Sequence, residues 1–383
     1  MKNKKYNISF FILAALILSL TCCRDNRREA GLLQGDTLQL KYAKNITIVR
    51  HNGYTTVSMK NPWKPDKTLH QYVLVPRSEK VQSSKFKVQS RGTVLRVPLQ
   101  RSAVFTTVHC ALIEMLGCEE SVGGVADLKY IKLPWVHERV KKGEIADFGD
   151  GMSPVIEKII DAKPDAIFLS PFENSGGYGK VEEINVPIVE CAEYMEDSPL
   201  ARAEWMKFYG ILFGQEQRAD SLFHEVDSCY HALKQMAAAS KEKPSVLMDK
   251  QTGSVWYVPG GRSTIGQMIS DANATYPWSE DNHSGSLSLP FETVLEKAGH
   301  CPVWLLRYSS DHHLTLGELQ AEHHGYPQLN AFAQGSVYGC NVELSRFYEE
   351  TPFRPDWLLN DFIVILHPTI QGLHPLRYYH KVK

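Results

Sequence analysis

The sequence predicts an α/β protein of two Rossmann-like lobes with parallel sheets, joined by a long α-helix and preceded by an N-terminal β addition. Short apolar strands alternate with helices in both halves of the 383-residue chain, a pattern typical of parallel sheets covered on both faces. Between these halves, residues 198–243 have helical spacing. Before them, residues 38–76 have the alternation of half-buried strands.

The composition is that of an ordinary soluble globular protein. Hydrophobic residues make up 43% and charged residues 22% of a chain long enough for two separate cores. A formal net charge of -1 provides no field for nucleic acid, and no nucleic-acid partner is predicted. Because P-loop, GxGxxG, HExxH and GxSxG motifs are all missing from the sequence, we predict neither a cofactor nor an enzymatic activity.

Residues 1–23 are predicted to be a lipoprotein signal peptide. A lysine-rich start precedes an apolar run over residues 8–20, which is shorter than the ~20 residues of a spanning helix. Two cysteines follow, and Cys23 is predicted to carry the lipid, with Cys22 as the alternative. The protein would then lie in the periplasm or cell envelope, held to a membrane only by its lipid. An uncleaved N-terminal anchor is the other interpretation.

No metal site is predicted. The remaining cysteines have no CxxC spacing and no zinc pattern. The pairs His312-His313 and His323-His324 lie in polar, loop-like sequence, where adjacent side chains point in different directions. A solvated loop therefore competes with a metal site at both pairs, and we favour the loop.

Residues 24–92 are predicted to form the tether and the β addition. Residues 24 to about 36 are polar, as in a flexible linker. Strands are predicted over 45–50 and 54–59, with Asn52-Gly53 as the hairpin turn between them, and a third over 68–75.

Residues 93–197 are predicted to form the N-terminal α/β lobe. Strands are expected over 94–97, 104–108, 165–170 and 186–190, and helices over 109–116 and 154–162.

Linking helices are predicted over 198–243 and a C-terminal α/β lobe over 244–383. Ser198 is the expected cap of the first linking helix, which ends at Gly214, and a second helix follows to about residue 239. In the C-terminal lobe, strands are predicted over 245–248, 255–258 and 303–306, and helices over 263–272, 290–298 and 355–366.

Two glutamates occupy matching positions in the two lobes. Glu157 lies on a short helix that leads through Lys163-Pro164-Asp165 to a buried strand, and Glu292 lies on a helix that leads to the strand at 303–306. Taken alone, each is an ordinary acidic residue favoured by the dipole of a helix start. As a pair on a rigid scaffold, they would present two fixed charges to a partner.

These features, with the linking helix and the stretch Trp256 to Arg262, resemble the periplasmic binding proteins for iron–siderophore, haem and vitamin B12 uptake. The resemblance covers roughly Val94 to His367. It implies two lobes that hold a ligand between them, and an ABC permease with its ATPase as partners. It also implies that Glu157 and Glu292 dock into arginine pockets of the permease.

Candidate ligand contacts follow from the open-sheet rule that ligands bind beyond the carboxyl ends of the strands. In the first lobe they are Lys129, Tyr130, Trp135, Phe172 and Tyr178. In the second they are Trp256, Arg262, Trp278, Arg307 and Tyr308. Aromatic residues suit a broad, partly apolar ligand, and the cationic residues among them could neutralise an anionic iron complex. The alternative is that half of the aromatic residues only pack locally.

The predicted function is therefore that of a monomeric substrate-binding lipoprotein of an ABC importer, which captures an iron complex, either a siderophore chelate or haem. A corrinoid is the alternative cargo. The alternatives of another class are an envelope enzyme on the same scaffold, which would need a nucleophile and base that the sequence does not reveal, and an adhesion or scaffold protein.

Overall fold

The computed structural model describes residues 35–64, 66–79, 92–173 and 177–383. The predicted signal peptide, Cys23 and nearly all of the predicted tether lie outside the described residues. Within them, the strands form four sheets, and two of these sheets are built mainly or wholly of parallel strands.

The N-terminal sheet has the order β1-β2-β3-β4-β5. Its strands are β1 (Asp36–Thr37), β2 (Ile46–His51), β3 (Tyr54–Lys60), β4 (Thr68–Pro76) and β5 (Thr93–Val97). The predicted hairpin is confirmed, because His51 pairs with Tyr54 across Asn52-Gly53. The strand expected to open the first lobe is β5, and it instead pairs in parallel with β4. Its assignment to the lobe sheet was wrong, because strand pairing depends on contacts distant in sequence.

The first lobe is built around a five-stranded parallel sheet of order β10-β9-β6-β7-β8. Its strands are β6 (Ser102–Val104), β7 (Val122–Val125), β8 (Ala146–Asp147), β9 (Ala166–Leu169) and β10 (Ile188–Glu190). Successive residues of β9, Ile167 and Phe168, belong to different hydrophobic clusters, so the sheet is buried on both faces. The strand predicted over 104–108 ends at Val104, because Thr106 is already the N-cap of a helix.

The second lobe contains a four-stranded sheet of order β11-β15-β16-β17 and a separate sheet of order β12-β13-β14. The strands are β11 (Val246–Met248), β12 (Gln251–Thr252), β13 (Val255–Pro259), β14 (Ser286–Leu289), β15 (Val303–Tyr308), β16 (Val337–Asn341) and β17 (Tyr379–Lys381). β11, β15 and β16 are parallel, and β17 is an antiparallel edge. The predicted strand at 255–258 exists, but it pairs antiparallel with β12 and β14, outside the parallel sheet.

Thirteen α-helices lie in the described ranges. They are α1 (Thr107–Leu116), α2 (Pro134–Lys141), α3 (Ile156–Ala162), α4 (Lys180–Glu183), α5 (Pro199–Glu204), α6 (Met206–Phe213), α7 (Glu216–Ala238), α8 (Thr264–Asp271), α9 (Phe291–Ala298), α10 (Leu316–Glu322), α11 (Asn330–Ala333), α12 (Phe347–Glu350) and α13 (Pro355–Leu366).

The helices between the lobes follow the predicted plan. Ser198 caps α5 by accepting a hydrogen bond from the backbone N–H of Ala201 at 3.1 Å. Gly214, with φ 67°, ends α6, and α7 then runs for 23 residues, or about 35 Å. Along its length α7 packs on α6 and on α13 of the second lobe. We refer to α7 as the linking helix.

Two buried carboxylates fasten residues 41–45 to the helices between the lobes. The carboxylate of Glu204, which is 0% exposed, accepts three backbone N–H groups, from Lys41, Tyr42 and Ala43, at 2.7 to 2.9 Å. The carboxylate of Glu196 accepts the backbone N–H groups of Lys44 and Asn45. The N-terminal sheet is thus tied to the start of the linking region.

None of the helices in the described ranges is long and apolar enough to cross a membrane.

Candidate ligand-binding site

A pocket of about 410 Å³ opens at the carboxyl ends of the first lobe's parallel strands. We call it the first-lobe pocket. Its walls come from the segments that follow β6, β7, β9 and β10, as expected for an open α/β sheet. They consist of Phe105, Thr106, Thr107, Val108, His109, Ala126, Asp127, Tyr130, Ile131, Ser170, Phe172, Glu193, Tyr194 and Arg202.

Two of the predicted aromatic contacts stand on the rim of this pocket. Tyr130 is 59% exposed and Phe172 is 58% exposed, although both are large apolar side chains. Lys129 is also exposed, and its Nζ atom lies 4.7 Å from the centre of the Tyr130 ring. The structure therefore brings three of the five predicted first-lobe residues to one place, where aromatic faces are available to a ligand.

The floor of the first-lobe pocket contains a buried polar network. Tyr209 donates a hydrogen bond of 2.9 Å to the carboxylate of Glu193, and its oxygen lies 2.8 Å from Nε2 of His109. The same nitrogen is 3.5 Å from the Glu193 carboxylate. Burial acts to raise the pKa of Glu193, but His109 and Arg202 outweigh that effect and bring the pKa to about 2. The floor thus carries a carboxylate that stays ionised.

Trp135 and Tyr178 do not line the first-lobe pocket. Trp135, on α2, packs partly buried against the main core, and its indole Nε1 is enclosed without a hydrogen-bond partner. Tyr178 is directed to Glu190, to which its hydroxyl donates a hydrogen bond. It lines a neighbouring groove, which it shares with Phe172.

In the second lobe, Arg307 and Tyr308 end the inner strand β15. Arg307 binds Asp249 through two nitrogens, at 2.8 Å and 2.5 Å, and its guanidinium lies 5.9 Å from the Phe347 ring centre. Tyr308 is only 7% exposed, and its hydroxyl is 3.0 Å from Nε2 of His380. Arg307 is thus already paired with a carboxylate, and Tyr308 is mostly enclosed.

Three further predicted contacts lie elsewhere. Trp256 is 0% exposed, donates its indole N–H to the carbonyl of Met248 at 2.9 Å, and belongs to the core. Trp278 is also buried, beside Tyr276, whereas Arg262 is exposed just after β13 of the separate antiparallel sheet. The side chains of Trp256 and Trp278 are thus not accessible to a ligand. Trp256 lies in a strand that pairs with β12 on one side and β14 on the other, and Trp278 packs beside Tyr276.

The two lobes meet where residues 343–349 of the second lobe contact the first, a region we call the lobe junction. Lys132 and Glu343 form an ion pair of 2.5 Å, and Glu349 accepts a hydrogen bond of 2.7 Å from the hydroxyl of Thr107. Arg346 also pairs with Glu114 of α1. Since Thr107 lines the first-lobe pocket, the pocket borders this junction.

Residues at the lobe junction escaped prediction from the sequence. Leu344 is 54% exposed and Tyr348 is 51% exposed, and each is adjacent in sequence to an acid that bridges the lobes. In the sequence, Leu344 and Tyr348 stand out only as apolar residues in a polar stretch that follows β16, at the carboxyl end of a parallel strand. His109, Arg202 and Tyr209 lie on helices with the spacing of core helices, and Glu193 lies in a short turn after β10, so spacing along the sequence does not reveal this network.

The two glutamates have equivalent local settings. Glu157 is exposed in the first turn of α3, which leads to the inner strand β9. Glu292 is exposed in the first turn of α9, which leads to the inner strand β15. Beside Glu157 lies a groove of about 1000 Å³. Glu292 interacts with His323, whose ring stacks on His324.

The histidine pairs are part of local contacts. His312 lies between Asp311 and Glu318, at 2.7 Å and 2.8 Å. No group of three or more His, Cys, Asp or Glu side chains in the described part of the chain is placed to hold a metal ion.

Two α/β lobes, a bridging helix and a pocket at the carboxyl ends of a parallel sheet define a two-lobed solute-binding protein. A family model described as "Periplasmic binding protein" matches residues 104–344. The chain belongs to the periplasmic binding protein family, whose members bind solutes.

The chain is similar to an uncharacterized lipoprotein of Methanocaldococcus jannaschii, with 28% identity over 86% of this chain and 82% of the relative. It has the fold of a periplasmic haem-binding protein from Pseudomonas aeruginosa, at 15% identity and a TM-score of 0.59 over 74% of this chain and 98% of the other. A structure from an ABC-type Fe3+-hydroxamate transport system of Saccharomonospora viridis matches at 17% identity and a TM-score of 0.55, over 70% of this chain and 94% of the other. At these identities the solved structures establish the fold alone.

Proposed function

We propose that this protein is the ligand-binding component of an ABC importer and captures an iron complex, a siderophore chelate or haem, between its lobes. The observation that carries the proposal is the first-lobe pocket, with the exposed rings of Tyr130 and Phe172 on its rim. Exposed aromatic faces around a concave site suit a broad, partly apolar ligand.

The lobe junction supports a site shared by both lobes. Thr107 belongs both to the first-lobe pocket and to the contact with Glu349, so a ligand in the pocket would lie next to the second lobe. Leu344 and Tyr348 are the exposed apolar side chains that the second lobe offers there. Because a rigid helix of 23 residues links the lobes, the closing movement would be small.

The choice of an iron complex is supported by the solved structures of the same fold. One is that of a periplasmic haem-binding protein, and another belongs to an ABC-type Fe3+-hydroxamate transport system. A corrinoid remains an outcome of the test below.

Docking to the permease is proposed to use Glu157 and Glu292. Their exposure, and their equivalent places ahead of inner strands, support this role. A carboxylate fixed at the start of a helix can be bound in a bidentate manner by an arginine of the partner, which sets direction as well as affinity.

The protein is also proposed to be lipid-anchored at Cys23 on the outer side of a cell membrane. The similarity to a protein named as a lipoprotein supports this. Mass spectrometry of the protein purified from membranes should find a lipid on Cys23, and a Cys23→Ser variant should be recovered without it.

Titration of the mature protein tests the proposed cargo. Tryptophan fluorescence would be followed while ferric siderophores, haem and cobalamin are added in separate experiments. Saturable binding of a siderophore chelate or haem is expected. If only cobalamin binds, the cargo is a corrinoid and not an iron complex. If none of these compounds binds, the cargo proposal is wrong.

A further inference from the structure

Arg202 is a partly buried arginine whose guanidinium has one enclosed nitrogen without a partner. It lies on α5 and lines the first-lobe pocket, and its Nε atom is shut off from solvent without a hydrogen-bond partner. Among the described residues its guanidinium forms no hydrogen bond and no ion pair. A buried charged donor left unsatisfied is costly, so this arrangement requires an explanation.

Glu193 is the acidic residue whose charge acts on Arg202, but its carboxylate already has other partners. Its carboxylate accepts the hydroxyl of Tyr209 at 2.9 Å and lies 3.5 Å from His109. Arg202 acts on Glu193 only through longer-range charge. Burial lowers the pKa of Arg202, and the charge of Glu193 opposes that effect only in part. The surroundings of the guanidinium therefore disfavour its charged form, and a second anion beside it would stabilise that form.

The other cationic residues predicted for the site do not reach the pocket floor. Arg307 is held by Asp249, and Arg262 follows a strand of the separate antiparallel sheet. Lys129 is exposed on the rim, beside Tyr130. Because the Nε atom of Arg202 is enclosed, whereas Tyr130 and Phe172 are open to solvent, the arginine belongs to the floor and the aromatic residues to the rim.

We infer that Arg202 recognises an anionic oxygen group of the ligand, in the simplest case a carboxylate, while the ligand's apolar body contacts the rim. A guanidinium offers paired N–H donors that match a carboxylate in a bidentate manner. This inference rests on the proposed function, because it concerns the same pocket, and it narrows the cargo to carboxylate-bearing iron complexes.

Matched ligands test the inference directly. Iron protoporphyrin would be compared with its dimethyl ester, and a ferric trihydroxamate with a pendant carboxylate would be compared with the same chelate lacking it. In the wild-type protein the free acid of at least one pair should bind ten or more times tighter than its neutral partner. Arg202→Gln should bring the ratio of the two affinities close to one, chiefly by weakening the free acid, and Arg202→Lys should restore part of the preference.

Arg262→Gln is the matched control, because this exposed arginine lies outside the pocket, and it should change neither affinity. Equal binding of acid and neutral compound by the wild type, with no effect of Arg202→Gln, would overturn the inference and leave the proposed function standing. Failure of all four compounds to bind would count against the proposed function, and the stability measurement below then decides the inference.

Thermal unfolding of the ligand-free protein provides that second readout. If Arg202 is kept for a ligand, Arg202→Met should lower the unfolding temperature by less than about 5 °C, because the guanidinium makes no direct bond and supports Glu193 only through longer-range charge. Arg354→Met is the positive control, since Arg354 is buried and bound to Asp356 at 2.7 Å and 3.0 Å, and it should unfold earlier. A loss of more than about 5 °C in Arg202→Met would identify Arg202 as a structural partner of Glu193 and overturn the inference.

Discussion

Lys132 of the first lobe and Glu343 of the second form an ion pair across the lobe junction, with 2.5 Å between Nζ and Oε1. The backbone N–H of the same lysine donates to the carboxylate of Glu349, also at 2.5 Å. Lys132 follows Tyr130 by two residues, so the segment that carries a rim aromatic residue is also the segment held by the second lobe. A movement of the second lobe relative to the first would therefore also move the segment that carries Tyr130 on the pocket rim.

Lys132→Met is expected to increase the rate of ligand dissociation several-fold, because one contact that holds the lobes together is lost. The unfolding temperature should hardly change, since both partners are partly exposed, 24% and 45%. Stopped-flow fluorescence measures the rate. Lys44→Met is the control, because it removes an exposed pair with Asp197 away from the junction. An unchanged dissociation rate in Lys132→Met would argue that the junction does not retain the ligand.

Tyr130→Ala and Phe172→Ala should each weaken ligand binding by roughly 5- to 30-fold, the equivalent of about 1–2 kcal/mol for the loss of one aromatic contact. Stability should be unaffected, because both rings are more than half exposed, at 59% and 58%. Fluorescence titration measures affinity and thermal unfolding measures stability. Tyr257→Ala removes a similarly exposed tyrosine (48%) from the separate antiparallel sheet and should leave affinity unchanged. Equal losses in all three variants would contradict a specific role for the rim.

Charge reversal at Glu157 and Glu292 should abolish uptake of the radiolabelled ligand by cells that express the importer, while the affinity of the purified protein stays intact. The reason is that both carboxylates are exposed on the protein surface, outside the lining of the first-lobe pocket. Asp161→Lys and Glu296→Lys are matched controls, since each reverses an exposed acid on the same helix and should preserve transport. A loss of ligand affinity in the two test variants would refute the docking role.

Glu204→Ala should lower the free energy of unfolding by about 3 kcal/mol, because it leaves three backbone N–H groups without their buried acceptor. Urea denaturation measures the change. Asp220→Asn removes an acid that is 55% exposed and 3.8 Å from Lys207, and it should cost less than about 0.5 kcal/mol. Similar small losses in both variants would show that residues 41–43 are not anchored by Glu204.

Glu193 should make stability depend on pH in the acid range. Its folded pKa of about 2 lies below the ordinary value of 4.5, so its contribution is fully present above pH 4.5 and is lost as the pH falls towards 2. The difference corresponds to about 3 kcal/mol. Urea denaturation between pH 5 and pH 2 should show a shallower loss of stability in Glu193→Gln than in the wild type. Parallel pH profiles for the two proteins would contradict an ionised Glu193.

Local sequence chemistry was sufficient where the structure depends on neighbours in the chain. The Asn52-Gly53 turn, the Ser198 cap and the linking helix are all predicted from short-range signals.

The predictions were wrong where the environment of a residue depends on segments that are distant in sequence. Trp256 is followed by a loop-like glycine pair, yet antiparallel pairing of its strand with residues 286–289 encloses its ring. Arg202 was missed for the opposite reason. Its helix has the pattern of a buried helix, but the carboxyl ends of four strands meet beside it and form a pocket. The residues at the floor of a pocket come from several segments that are distant in sequence. The spacing of residues within one segment therefore cannot predict them.

Glu196 and Glu204 bind residues 41–45, close to the first described residue, to the helices between the lobes. If Cys23 carries a lipid, as proposed, the connection to the membrane would therefore join the protein at the helices between the lobes. Anchoring would then place no direct load on the contacts of the lobe junction.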